Sequence, residues 1–173
     1  AAPAGRAASL PPGVPSLPPG ASADWWSQVC RQIEEAEYNA SPGEAGTLEA
    51  PNRTQNLHTT FAPERVAIAP RTALHTAPSI GDAAAWRWEW QTTAWGRKGH
   101  LLPAAPAQPT GRGARVEYAR PGLVEWYENK REGLEQGFTV AAPPPGEGPL
   151  RIEGDVSAAL AAEVFAQVYL NEV

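Results

Sequence analysis

Residues 117–145, EYARPGLVEWYENKREGLEQGFTVAAPPP, set two strand-like runs on either side of a polar break that carries Gly133. Apolar and aromatic residues alternate with polar ones through much of the first run. A period of two sends successive side chains to opposite faces of a pleated strand, so this stretch is written for a sheet with a packed side. Working outward, Arg115–Arg120, Leu123–Lys130 and residues 134–141 read as consecutive strands, and residues 150–156 as a further one. Upstream, Leu57–Phe61 and residues 65–69 are two short strands with a hairpin-length connection, and Val66 and Ile68 share a face. The run AWRWEWQTTAWGRK adds another, with Trp86, Trp88 and Trp90 on one side and Arg87, Glu89 and Gln91 on the other. About seven short strands with frequent turns predict a mainly β protein, an antiparallel β-sandwich.

Composition agrees with that class. The 173 residues include 19 Pro and 16 Gly, which argue against a helical bundle. A net charge of −5 offers no basic footprint for nucleic acid. No stretch approaches the ~20 apolar residues of a membrane-spanning helix. Cys30 is the single cysteine, too few for an internal disulfide or a thiolate zinc cluster.

Residues 1–21 are rich in Pro and Ala and poor in large apolar side chains, so they read as a flexible arm or linker ahead of a single β-rich domain at 22–173. Ser22 or Asp24 can cap a helix over residues 24–37, where Trp25 or Trp26, Val29, Ile33 and Ala36 recur at three- and four-residue spacing. Glu34, Glu35 and Glu37 crowd its C-terminal end and oppose the helix dipole. This amphipathic helix is expected to lie against a sheet. At the other end, DVSAALAAEVFAQVYLNEV fits both a helical and a strand period, and its alanine content favours helix. No internal repeat of 20–50 residues is present.

Three stretches taken together, RQIEEAEYNAS, LEAPNRTQNLHTTFAPERVAIAPRT, and VEYARPGLVEWYENKREGLEQGFTVAAPPP followed by LRIEGDVS, resemble in order and approximate spacing the N-terminal β-rich domain of large secreted bacterial proteins that continue into FG-GAP or other β-propeller repeats. The resemblance spans residues 24–156. It implies an extracellular or cell-envelope location, a non-catalytic structural role and further strands and repeats beyond Val173, and it transfers no catalytic residue.

The tryptophan row is the strongest candidate for a ligand site. On an exposed face Trp86, Trp88, Trp90 and Trp95 could stack on sugar rings, whereas on an inner face they fill the space between sheets, which a strand with one aromatic and one charged side favours. Glu89, Glu117, Glu125 and Glu135 could in principle pair as glycosidase carboxylates. Each has basic residues close in sequence, and they read as solvated surface charge. His58, His75 and His100 are scattered, without metal-ligand spacing. No G-x-S-x-G elbow or phosphate loop occurs, and GRGAR at Gly111 reads as a turn. Hence no catalytic, cofactor or metal site is expected. In PNRTQNL, the side chains of Asn52, Arg53, Gln55 and Asn56 are read as a structural polar network that satisfies backbone groups. Glu135 and Gln136 beside Gly137 are expected to secure a bulged strand.

The resulting expectation is a non-enzymatic module that makes protein contacts through sheet edges or the N-terminal arm, with identical subunits or the rest of a larger repeat protein as partner. Self-assembly follows from that reading. Polysaccharide binding through the tryptophan row is the alternative.

Overall fold

A computed structural model describes residues 17–71 and 86–158. By internal contacts the chain divides into two compact units, Ala1–Glu37 and Tyr38–Val173. In the first, the Ser22 hydroxyl accepts the backbone N–H of Trp25 at 3.3 Å and caps helix α1 (Ala23–Ala36). Trp26, Val29 and Cys30 are half-buried, while Trp25 and Ile33 are 52% and 64% exposed. Residues 1–16 of the expected arm lie outside the described residues.

The second unit is antiparallel β structure, as its alternation and turn content predict. Its strands are β1 (Ser41–Pro42), β2 (Leu48–Asn52), β3 (Leu57–Phe61), β4 (Val66–Pro70), β5 (Trp88–Arg97), β6 (His100–Pro103), β7 (Pro109–Arg112), β8 (Arg115–Arg120), β9 (Leu123–Lys130), β10 (Gly133–Val140) and β11 (Arg151–Ala158). One sheet runs β1-β2-β3-β4-β5-β11, and β6 also pairs with β5. Because β11 follows β5 along nearly its whole length, β4 and β6 must share the other edge, β4 on residues 88–90 and β6 on residues 94–97. The second sheet runs β10-β9-β8-β7.

Register identifies the inner faces. Ala50, Thr59, Ile68 and Trp88 form one cross-strand row, and Leu48, Phe61, Val66 and Trp90 the next. Ala50, Thr59, Phe61 and Val66 are buried, so both rows face inward. Opposite them, β8 and β9 contribute Val116, Tyr118, Leu123 and Tyr127. Phe61 from the first sheet meets Tyr127 from the second edge-on, with ring centroids 5.3 Å apart, and Tyr127 meets Tyr118 at 6.2 Å. Such tilted aromatic pairs add about 0.5–1.5 kcal/mol each beyond the area they bury. Among the described residues the protein is therefore mainly β, with two packed antiparallel sheets and one α-helix.

The strand read from Trp86 begins two residues later, at Trp88. β2 was not legible, because Pro51 sits within it. Proline removes a ladder donor and is tolerated only where that side of a strand is unpaired. The two-residue β1 meets the larger strand only at Leu48 and Glu49, which leaves Pro51 beyond it. The ambiguous C-terminal stretch starts as strand, since β11 continues to Ala158. Residues 159–173 lie outside the described residues, as does His75.

Candidate binding surface

The tryptophans expected in a row do not share one environment. Trp88 and Trp90 are half-buried on the inner face, stacked nearly parallel at 8° with centroids 6.4 Å apart, and the Trp90 indole N–H donates to Thr92 Oγ1 at 2.9 Å. Trp86 is half-buried just before β5. Trp95 falls three residues beyond Thr92, yet both are buried. A register shift opposite Glu153 and Gly154 leaves Thr93 as an extra residue, and this bulge returns Trp95 to the inner face. At 4% exposure, its ring is packed over Gly122 in the β8–β9 turn, unavailable for stacking on a sugar.

The polar residues before β3 form a clamp between the sheets. Buried Asn52 donates from Nδ2 to Asn129 Oδ1 at 2.9 Å and to the Lys130 carbonyl at 2.7 Å, and its Oδ1 accepts the Gln55 N–H at 3.0 Å. Asn129 in turn donates to the carbonyls of Pro51 and Tyr38 at 2.8 and 3.0 Å. Gln55 Nε2 reaches the Arg131 carbonyl at 3.1 Å. Asn56 takes a left-handed backbone (φ 53°), which asparagine tolerates, and its carbonyl accepts the Arg71 N–H. Arg53 is exposed in the same turn.

The carboxylates separate into two kinds. Glu89 is held by Arg87 Nε at 2.7 Å and Arg65 Nη1 at 2.9 Å, Glu117 by Arg115 at 2.6 Å, and Glu135 by Lys130 at 2.7 Å. The hydrogen bond from Arg87 does most to hold the Glu89 carboxyl below the usual carboxylate range, against an opposing push from burial and with help from Arg65. Glu135 and then Glu128 hold the Lys130 ammonium above its usual range. Glu125 corrects the surface-charge reading, for it is 2% exposed. Its Oε1 accepts from the Tyr127 hydroxyl at 2.6 Å and from Gln136 Nε2 at 3.0 Å, while Oε2 accepts from Arg120 Nη1 at 2.8 Å. Arg120 Nε also donates to the Ala105 carbonyl at 2.8 Å. Sequence proximity to a base suggested a solvated pair. The missed signal was phase, since Glu125 alternates in step with Leu123 and Tyr127.

His58 is half-buried with Nε2 3.6 Å from Glu49, and His100 is exposed at the start of β6. Among the described residues no three His, Cys, Asp or Glu side chains converge as metal ligands. No helix among them is long and apolar enough to cross a membrane. An open depression of about 210 Å³ lies along β5 and β11, lined by Arg65, Glu89, Gln91, Asp155 and Ser157 together with Trp90 and Val156.

The second sheet ends at β10, and the phase of its ladder shows which backbone groups face outward. The Ala141 N–H donates to the Gly122 carbonyl at 3.1 Å, one step past the last β9–β10 pair, and so fixes the phase of that ladder. In an antiparallel pair the hydrogen-bonded positions alternate, so Thr139, Gly137 and Glu135 bond toward β9. The N–H and C=O groups of Leu134, Gln136, Phe138 and Val140 therefore point away from it. Among the described residues no strand pairs with β10 on that side.

Comparison with known protein families, curated proteins and solved structures finds no match to this chain. The resemblance to the N-terminal domain of FG-GAP repeat proteins thus rests on the quoted residues alone.

Proposed function

We propose that this chain is a non-catalytic protein-contact module that pairs strand to strand along the edge of β10 that no described strand covers. The observation that carries the reading is the row of outward backbone groups at Leu134, Gln136, Phe138 and Val140. Long, flat, weakly charged edges invite a further strand, and folded proteins blunt the edges they do not use. The other edge strands are blunted. β1 has two residues, β6 and β7 have four each, and β11 carries Arg151, Glu153 and Asp155. β10 is eight residues long, and its one charged side chain, Glu135, is tied back to Lys130.

The carboxylates add to this reading, because Glu89, Glu117, Glu125 and Glu135 are each engaged by a cation within the fold. The extracellular or envelope setting implied by the resemblance belongs to the proposal on the same sequence grounds. The test uses a peptide of the β10 sequence, GLEQGFTV, as a probe of an open edge. On titration, amide exchange at Leu134, Gln136, Phe138 and Val140 should slow, with little change along β8. Protection of those four amides already present in the dilute monomer, or no response at saturating peptide, refutes it.

A further inference from the structure

The phase of the β10 edge, its single charge and the absence of a side chain at its centre together specify a partner. We infer that β10 pairs antiparallel with β10 of a second copy of this chain, in the register that sets Gly137 opposite Gly137. This inference rests on the edge reading above and names its occupant.

Only residues of matching phase can exchange hydrogen bonds, so Leu134, Gln136, Phe138 and Val140 must meet the same set on the copy. With Gly137 on the two-fold axis, Leu134 meets Val140 and Gln136 meets Phe138, and all four outward residues are satisfied on both strands. Centring the pair on Gln136 instead leaves Val140 overhanging, and centring it on Phe138 leaves Leu134 overhanging. Centring it on Glu135 places two carboxylates face to face, an arrangement that costs stability. In the register on Gly137 each Glu135 faces Thr139, a neutral and exposed residue. The inner-facing side chains of both copies also remain on one side of the joined sheet, as a continuous fold requires.

Gly137 has a second property that suits the axis. A Cβ built there would stand 2.1 Å from Trp126 Cζ2 and 2.5 Å from Cη2, so the far end of the indole lies directly over this residue. Arg115 stands 4.4 Å from the centre of that ring. Gly137 would form a non-hydrogen-bonded pair with its copy, the kind whose Cα atoms approach to about 4.5 Å. The two Trp126 rings then come together over the axis and cover apolar surface that the separate chains leave half-buried. Using the same edge on both partners closes the assembly at a dimer.

Cysteine pairing reads the register directly. In a Cys30→Ser background, Glu135→Cys with Thr139→Cys places two thiols in facing non-hydrogen-bonded positions, within the Cα range of about 4.4–6.8 Å that a disulfide spans. Within one strand the same residues stand about 13 Å apart, too far to join. Mild oxidation of the double variant should give a covalent dimer as the main product, while either single variant stays monomeric on denaturing gels. Sedimentation of the unaltered chain should show monomer and dimer only. A double variant that does not cross-link, single variants that cross-link equally well, or species larger than dimer overturn the inference. If the β10 peptide still protects the edge amides in that case, the edge reading stands and only the partner is wrong; if it does not, both fall.

Discussion

At the scale of single residues, the fold spends its most costly chemistry on Glu125. A buried carboxylate is tolerable only when its charge and lone pairs are met, and here Arg120, Tyr127 and Gln136 meet them. Glu125→Gln keeps the shape but leaves the Arg120 guanidinium buried beside a neutral amide. It should lower stability by about 3–5 kcal/mol, seen as a fall in the urea midpoint with the slope unchanged. Arg120→Met combined with Glu125→Gln should recover part of that loss, because the uncompensated charge is gone. The same centre sets the alkaline limit. Burial, and then the Glu125 charge, raise the Tyr118 and Tyr127 hydroxyls well above their ordinary value of 10.0. Since the unfolded chain sheds these protons first, their contribution is intact below about pH 10 and is lost as the pH climbs beyond it. In a phenolate absorbance titration, two of the four tyrosines should ionise only together with unfolding. Ionisation of all four near pH 10 with the fold intact would contradict the assigned geometry.

At the scale of elements, β8, β9 and the hairpin from β3 to β4 were readable because their alternation and turn residues agree. Pro121 and Gly122 join β8 to β9, and Gly122 takes φ 78°, a conformation that side chains with a Cβ resist. A Cβ there would also stand 2.9 Å from the Trp95 ring. Gly122→Ala should therefore cost more than backbone strain alone, about 2–4 kcal/mol. Pairing it with Trp95→Leu should relieve part of that cost in a double-mutant cycle, and strict additivity of the two changes would show that the ring and the turn do not press on each other. What the sequence hid was non-local. Pro51 masked β2 because nothing local says that β1 stops short of it. The bulge at Thr93, which turns Trp95 inward, exists only relative to β11, about sixty residues later in the chain. The burial of Glu125 was visible in its phase, but the adjacent charges read more loudly than the period.

At the scale of the whole molecule, polar contacts stitch the two sheets together on either side of an aromatic centre. Near the end of β9, Asn52 and Asn129 bond to each other and to backbone carbonyls of the opposite sheet. Elsewhere the Tyr118 hydroxyl donates to the Ala62 carbonyl at 3.0 Å, and Phe61 against Tyr127 lies within the core they enclose. Asn129→Leu would take the side-chain donor from the Pro51 and Tyr38 carbonyls and one acceptor from Asn52 Nδ2, which keeps the Lys130 carbonyl, at about 1–3 kcal/mol for each buried group left without a partner. Asn129 and Glu125 are four residues apart on one strand, about 13 Å, and share no hydrogen-bond partner, so their effects should add to within about 0.5 kcal/mol. Both variants should still unfold in a single transition followed equally by near-ultraviolet circular dichroism and tryptophan fluorescence, because the two sheets share one core and neither can bury its apolar face alone. A first transition in the Asn129→Leu protein that frees β1–β3 while β8–β10 stays protected from exchange would show instead that the asparagine clamp, rather than the aromatic core, makes the sandwich fold as one.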